Sequence, residues 1–140
     1  MMADPLTFLS ASVAASHLVE QGLAIARFLY VTIGAMKDAP ELIRIRLEQI
    51  RQLVSISQLI IQHPSFQTQS IEVILRTCLR DLGKLHDVLL RFSVPDDAGR
   101  LQRWAATFLV VIKGEAIEKA FSNLDREKTT LVVCMETINS

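Results

Sequence analysis

Charge is scarce where this chain begins. As far as Met36 the only fixed charges are Asp4, Glu20 and Arg27, and Pro5 to Val19 has none, with His17 its single titratable group. A helix that is apolar or small-residue almost all round belongs inside a bundle or inside a membrane. Proline and glycine are sparse too, four and five residues, and half the residues are apolar, which excludes a disordered chain. The two cysteines, Cys78 and Cys134, form no CxxC pattern. They fall among apolar residues at helical spacing, as reduced core thiols of an intracellular protein do. Net charge is missing as well, with fifteen acidic and fifteen basic side chains. That removes the sequence-independent attraction on which nucleic-acid binding rests.

The common catalytic and cofactor signatures are absent: no HExxH, GxxxxGK, GxSxG or paired CxxC occurs. The three histidines lie on different segments, and Asp87 beside His86 points to another helix face. Neither an enzyme nor a metal or cofactor site is expected. The amino terminus lacks the basic n-region of a signal peptide and the arginines of a transit peptide. Its uncharged run is short for a membrane span, since 15 residues rise roughly 22 Å against a hydrocarbon core of roughly 30 Å. A constitutive membrane protein is therefore not expected.

What is present is helical periodicity throughout, in a chain of 140 residues that makes one domain. The pattern predicts an all-α, antiparallel up-and-down bundle of four to five helices. Asp4-Pro5 opens the first helix, over about 5–35, with an interruption near Gly22 possible on composition. Asp38 and Glu41 have capping-box spacing and open the second, over about 40–62, which His63-Pro64 stops. Its seam is Ile43, Leu47, Ile50, Val54, Ser57 and Ile61. The third, over about 68–92, carries Ile71, Leu75, Cys78, Leu82, Leu85, Leu89 and Phe92. A turn holding Pro95, Asp96 and Asp97 follows, with Asp97 as cap. The last segment, over about 98–138, shows Leu101, Trp104, Ala105, Phe108, Ile112, Ile117, Phe121, Leu124, Lys128, Leu131, Met135 and Ile138. Gly114 is either a kink in it or a tight connection between two helices. No window reads as a strand. Leu82 and Leu124 are expected deep in the core, and Leu6, Leu9 and Val13 are expected to contact other helices.

Two features depart from plain amphipathic helix. Arg76, Arg80 and Lys84 form a basic ridge, and Arg44 and Arg51 lie one heptad apart on the second helix. Such rows are either answered by acids, here Glu41, Glu48, Asp81 and Asp87, or meet lipid phosphates. Lys128 falls on an apolar seam, where it either snorkels to solvent, the favoured reading, or pairs with an acid from another helix.

Met2-Ala3-Asp4-Pro5-Leu6, the apolar small-residue helix behind it and Lys37-Asp38-Ala39-Pro40-Glu41 together carry a family resemblance. Leu79, Leu82, Leu85, Arg103-Trp104, Ile117, Leu124 and Lys128 to Leu131 extend it over nearly the whole chain. The sequence resembles the amino-terminal SesA and HeLo-like domains of fungal NACHT and other STAND proteins. The resemblance implies a cytoplasmic cell-death or innate-defence effector at the front of an NLR-like receptor, with a nucleotide-binding domain following it. It further implies self-association and recruitment to the plasma membrane, where the first helix inserts. That role would fall on Leu6, Phe8, Leu9, Val13, Leu18 and Val19, with Arg76, Arg80, Lys84, Arg44 and Arg51 as contacts for anionic headgroups. His17 and Glu20 interrupt this helix, a departure from the pattern. Two rival readings remain: a homotypic adaptor bundle that never enters lipid, and a packing domain with no signalling role.

Overall fold

In a computed structural model the chain is all-helical, with five α-helices and no strand among the described residues. The structure describes residues 5–36, 38–92, 95 and 97–140, without the side chains of residues 5–10 and Ala98. Helix α1 spans Pro5–Ala35, α2 Glu41–Gln62, α3 Gln69–Leu89, α4 Ala98–Ile112 and α5 Glu115–Asn139, and a 3-10 turn, Pro64–Phe66, joins α2 to α3. The ends follow local chemistry. His63 takes an extended backbone ahead of Pro64 and closes α2, its N–H donating to the Leu59 carbonyl at 3.1 Å. Thr68 caps α3, its Oγ1 accepting from the Ile71 N–H at 3.2 Å, and Asp97 caps α4 through the Gly99 N–H at 3.0 Å.

Two expectations resolve differently, and a third, left open, is decided. The capping box at Asp38 and Glu41 does not form: Pro40, with φ −61° and ψ 145°, is the N-cap and makes no side-chain cap bond. Glu41 is thereby the first helical residue, too early to reach back to a cap, although it still favours the positive helix end. Gly22 interrupts nothing, since α1 runs unbroken for 31 residues. Gly114 is a connection: it caps α5, and a Cβ added there would lie 2.9 Å from the Val111 carbonyl oxygen. Asp4 and Asp96 lie outside the described residues.

Helix α1 packs against both α2 and α3, and α5 packs against α3 and more lightly against α2. Helices α2 and α3 share little or no face. This arrangement widens the buried stripe of α2 beyond its expected seam. Ile43, Leu47, Ile50, Val54 and Ser57 are buried as expected, Leu53 and Ile60 join them, and Ile61 is only partly buried. A strict four-three seam drifts around a 3.6-residue helix, so a helix with two neighbours buries residues to either side of it. The α3 seam is buried from Ile71 to Leu89, with Phe92 past the helix end and partly buried. Leu82 and Leu124 are core residues. Buried Thr32 and Ser57 satisfy their hydroxyls on the carbonyls of Phe28 and Leu53, one turn back. Trp104 stacks on Phe108, which also meets Phe28 and Phe92 at ring distances of 5.7 and 5.9 Å, tying α4 to α1 and to the end of α3.

Candidate functional site

The unusual helix is α1. Its 25-residue segment Ala11–Ala35 is the one stretch among the described residues long and apolar enough to cross a membrane, and about a third of its most apolar window is buried. The inner face is Ala11, Ala14, Ala15, Leu18, Ile25, Ala26 and Leu29, small residues interleaved with large. Gly22 completes it, for a Cβ there would sit 2.5 Å from Val54 Cγ2. Close helix approach here depends on glycine. Of the insertion candidates, Leu18 is fully buried, Val19 is partly buried, and Val13 is 46% exposed, facing outward more than the expected helix contact implied. The side chains of Leu6, Phe8 and Leu9 lie outside the described residues. Leu18 and Val13 thus serve opposite faces. Exposed Leu23, Tyr30 and Val31 continue the outer face that Val13 begins, and the sequence reading passed over them because it stopped at the uncharged run.

The basic residues do not make one patch. Arg76 pairs with Glu72 at 2.7 Å and Lys84 lies 3.7 Å from Asp81, so the acids answering this ridge are Glu72 and Asp81. Arg80 is exposed and is in no ion pair among the described residues. Arg44 and Arg51 are exposed on α2, which is not a packed neighbour of α3. Arg46, unremarked in the sequence, is the arginine that turns inward. Its guanidinium lies 4.7 Å from the Phe121 ring centre, and Nη1 donates to Gln49 Oε1 at 3.0 Å. Burial lowers its pKa, opposed by Glu118 and Asp125. Lys128 donates to Gln52 Oε1 at 2.7 Å and lies 3.2 Å from the half-exposed Asp125, so the ammonium reaches the rim and meets no buried acid.

An acid cluster between α3 and α5 is the main polar feature the sequence did not reveal. Asp81 is buried, and Asn123 Nδ2 lies 3.5 Å from its Oδ1. Glu127 buries Oε2 without a hydrogen-bond donor to fill it. Burial, and then Asp81, push the Glu127 carboxyl up to about 8. Burial, and then Glu127 and Asp81, push the Cys78 thiol well up, which keeps it protonated and unreactive. The available signal was phase: Asp81 stands three residues after Cys78 and four before Leu85, on the inner face of α3.

Among the described residues three open grooves of about 400 Å³ flank the bundle, one of them lined by the polar side chains of Glu48, Arg51, Gln52 and Lys128. Ile56, Leu59, Phe66, Val132 and Met135 line an apolar one between α2 and α5. The third brings His17, Glu20 and Gln21 of α1 beside His86 of α3, residues the sequence reading had kept apart. Among the described residues no set of three histidine, cysteine or acidic side chains is placed to hold a metal ion. Comparison of the chain with protein-family models, with curated proteins and with solved structures gave no match.

Proposed function

We propose that this chain is a non-enzymatic helical effector domain of the SesA and HeLo-like kind that its sequence resembles. It would self-associate in the cytoplasm and act on anionic membranes through α1, in series with a nucleotide-binding domain. The bundle is of the up-and-down type, with consecutive long helices reversing direction. Supporting that, Asp81 meets Asn123 while Cys78 faces Glu127, so α3 and α5 advance oppositely. Arg46 over Phe121 and Gln52 at Lys128 make α2 and α5 advance together, as the second and fourth of four alternating helices do when the 15-residue α4 is counted as the connection between α3 and α5.

One observation carries the membrane reading: α1 exposes large apolar side chains on its solvent side, around Glu20 and Arg27, while its core side is apolar as well. Val13, Leu23, Tyr30 and Val31 are 46%, 52%, 64% and 45% exposed on the helix whose inner face is already core. Laid along a bilayer or passed through it, Ala11–Ala35 is roughly 37 Å long, enough for the hydrocarbon core. Glu20 and Arg27 must then be answered by neighbouring copies, because a central charge costs roughly 2.5–3.5 kcal/mol on insertion scales. Arg44, Arg51, Arg76, Arg80 and Lys84 are the headgroup contacts of this reading. The test is leakage of phosphatidylserine vesicles by the whole chain. Leu23→Glu with Val31→Glu places two charges on exposed positions, so the bundle stays folded by circular dichroism and leakage is expected to vanish. A folded variant that leaks as the wild type does would end the membrane reading.

The adaptor reading is favoured by a separate observation. Helix α1 is the element that joins α2 to α3, so withdrawing it dismantles the core. A module that signals with its bundle intact presents the same outer face to a protein instead.

A further inference from the structure

The outer face of α1 has an internal order. Its centre line recurs every seven residues: Val13, Glu20, Arg27 and Gly34, all exposed. Leu23, Tyr30 and Val31 flank that line, with smaller Ser16 and Ala24 between them. A Cβ added to Gly34 would meet nothing within 4 Å. Glu20 and Arg27 lie roughly 10.5 Å apart along the axis, beyond contact with each other, and neither is in an ion pair among the described residues. Leu23 and Tyr30 on one side of the line, and Ala24 and Val31 on the other, repeat every seven residues as the apolar positions of a helix seam do. One acid and one base, placed symmetrically on that seam, specify what covers it.

We propose that a second copy of this chain docks here, α1 against α1 and antiparallel, about a two-fold axis passing between Leu23 and Ala24. Glu20 of each copy then meets Arg27 of the other, twice, and the charges are complementary without any other residue. The same register sets large against small: Leu23 faces Ala24, Val31 faces Ser16 and Val13 faces Gly34, while Tyr30 covers His17. The interface is isologous and closes at two copies. A parallel in-register pair would instead set Glu20 on Glu20 and Arg27 on Arg27. The inference deepens the self-association within the proposed function by naming its surface. It also supplies a state in which the apolar outer face of α1 is hidden from lipid.

Sedimentation velocity on the whole chain without lipid tests it. The wild type is expected to dimerise with rising concentration. Glu20→Arg and Arg27→Glu each set like charges at both junctions and should weaken the dimer by at least about tenfold, roughly 1.4 kcal/mol. Both residues are exposed, so helicity should not change. Mixing the two variants in equal amounts should restore a dimer, because every arginine then faces a glutamate, and the double exchange in one chain should restore it too. A wild type that stays monomeric, single variants that dimerise like the wild type, or a mixture that stays monomeric would each overturn the proposal. Because no lipid is present, this result and vesicle leakage can fail independently.

Discussion

Gly22 is occupied by glycine for a reason outside its own helix. In an exposed helix, alanine there would add about 0.8–1 kcal/mol of stability. Here the new methyl would lie 2.5 Å from Val54 Cγ2, a β-branched side chain with little rotamer freedom. Overpacking of this kind costs typically 1–3 kcal/mol, which outweighs the propensity gain. Gly22→Ala is therefore expected to lower the urea midpoint, and a raised midpoint would mean that α1 and α2 pack less closely than described. The sequence offered Gly22 as a possible break, because a glycine's local meaning and its packing meaning look the same in one dimension. Lys128 shows the reverse case, for its place on an apolar seam left two readings that the positions of Gln52 and Asp125 resolved.

Helices α3 and α5 carry a pH dependence between them. Glu127 has a folded pKa of about 8 against an ordinary value of 4.5, through burial and then Asp81. The folded chain thus holds a proton that the unfolded chain releases between those values. The proton-linked stability is complete below about pH 4.5 and is lost as pH rises through about 8. From α3 the groups facing Glu127 are Cys78 and Asp81, with Lys84 beyond Asp81, and from α5 itself Asn123 and Arg126 adjoin. Toward α2, Glu118, Asp125 and Lys128 occupy the adjoining α5 face, with Arg46 of α2 beside them. Thermal unfolding should therefore show a melting temperature that falls from pH 5 to pH 8.5. Glu127→Gln removes the titrating group at nearly the same size and should flatten that fall. An equally steep decline in the variant would assign it elsewhere. The Cys78 thiol contributes only at higher pH, since its ordinary value of 9.0 is already above this range.

At the scale of the whole molecule, α1 is a structural hub and a candidate effector at once. It contributes Ala11, Ala14, Ala15 and Leu18 to the core and stands between α2 and α3. Removing residues 1–19 opens that core, and the remaining chain is expected to lose its cooperative thermal transition and bind a hydrophobic dye, as expanded states do. A cooperative transition after truncation would show that α2, α3 and α5 hold together unaided and that α1 is free to leave. The outward variants at Leu23 and Val31, or at Glu20 and Arg27, probe function without that loss.

The sequence by itself determined that the chain is helical, where α2 ends and α3 and α4 begin, and which seams face inward on α3 and α5. Those properties are local, since helical phase, caps at Thr68 and Asp97 and the stop at His63-Pro64 involve residues within a turn or two of one another. The apolar start was equally plain, along with the question it raised between bundle and membrane. Tertiary structure decided what no local pattern contains. It placed α1 between α2 and α3, which is why Gly22 must be small and why the stripe on α2 is wide. It brought Asp81 to Glu127 across an interface between segments more than 40 residues apart. It also turned Leu18 inward and Val13 outward within the uncharged start of α1, where both faces are apolar or small and only neighbours tell them apart.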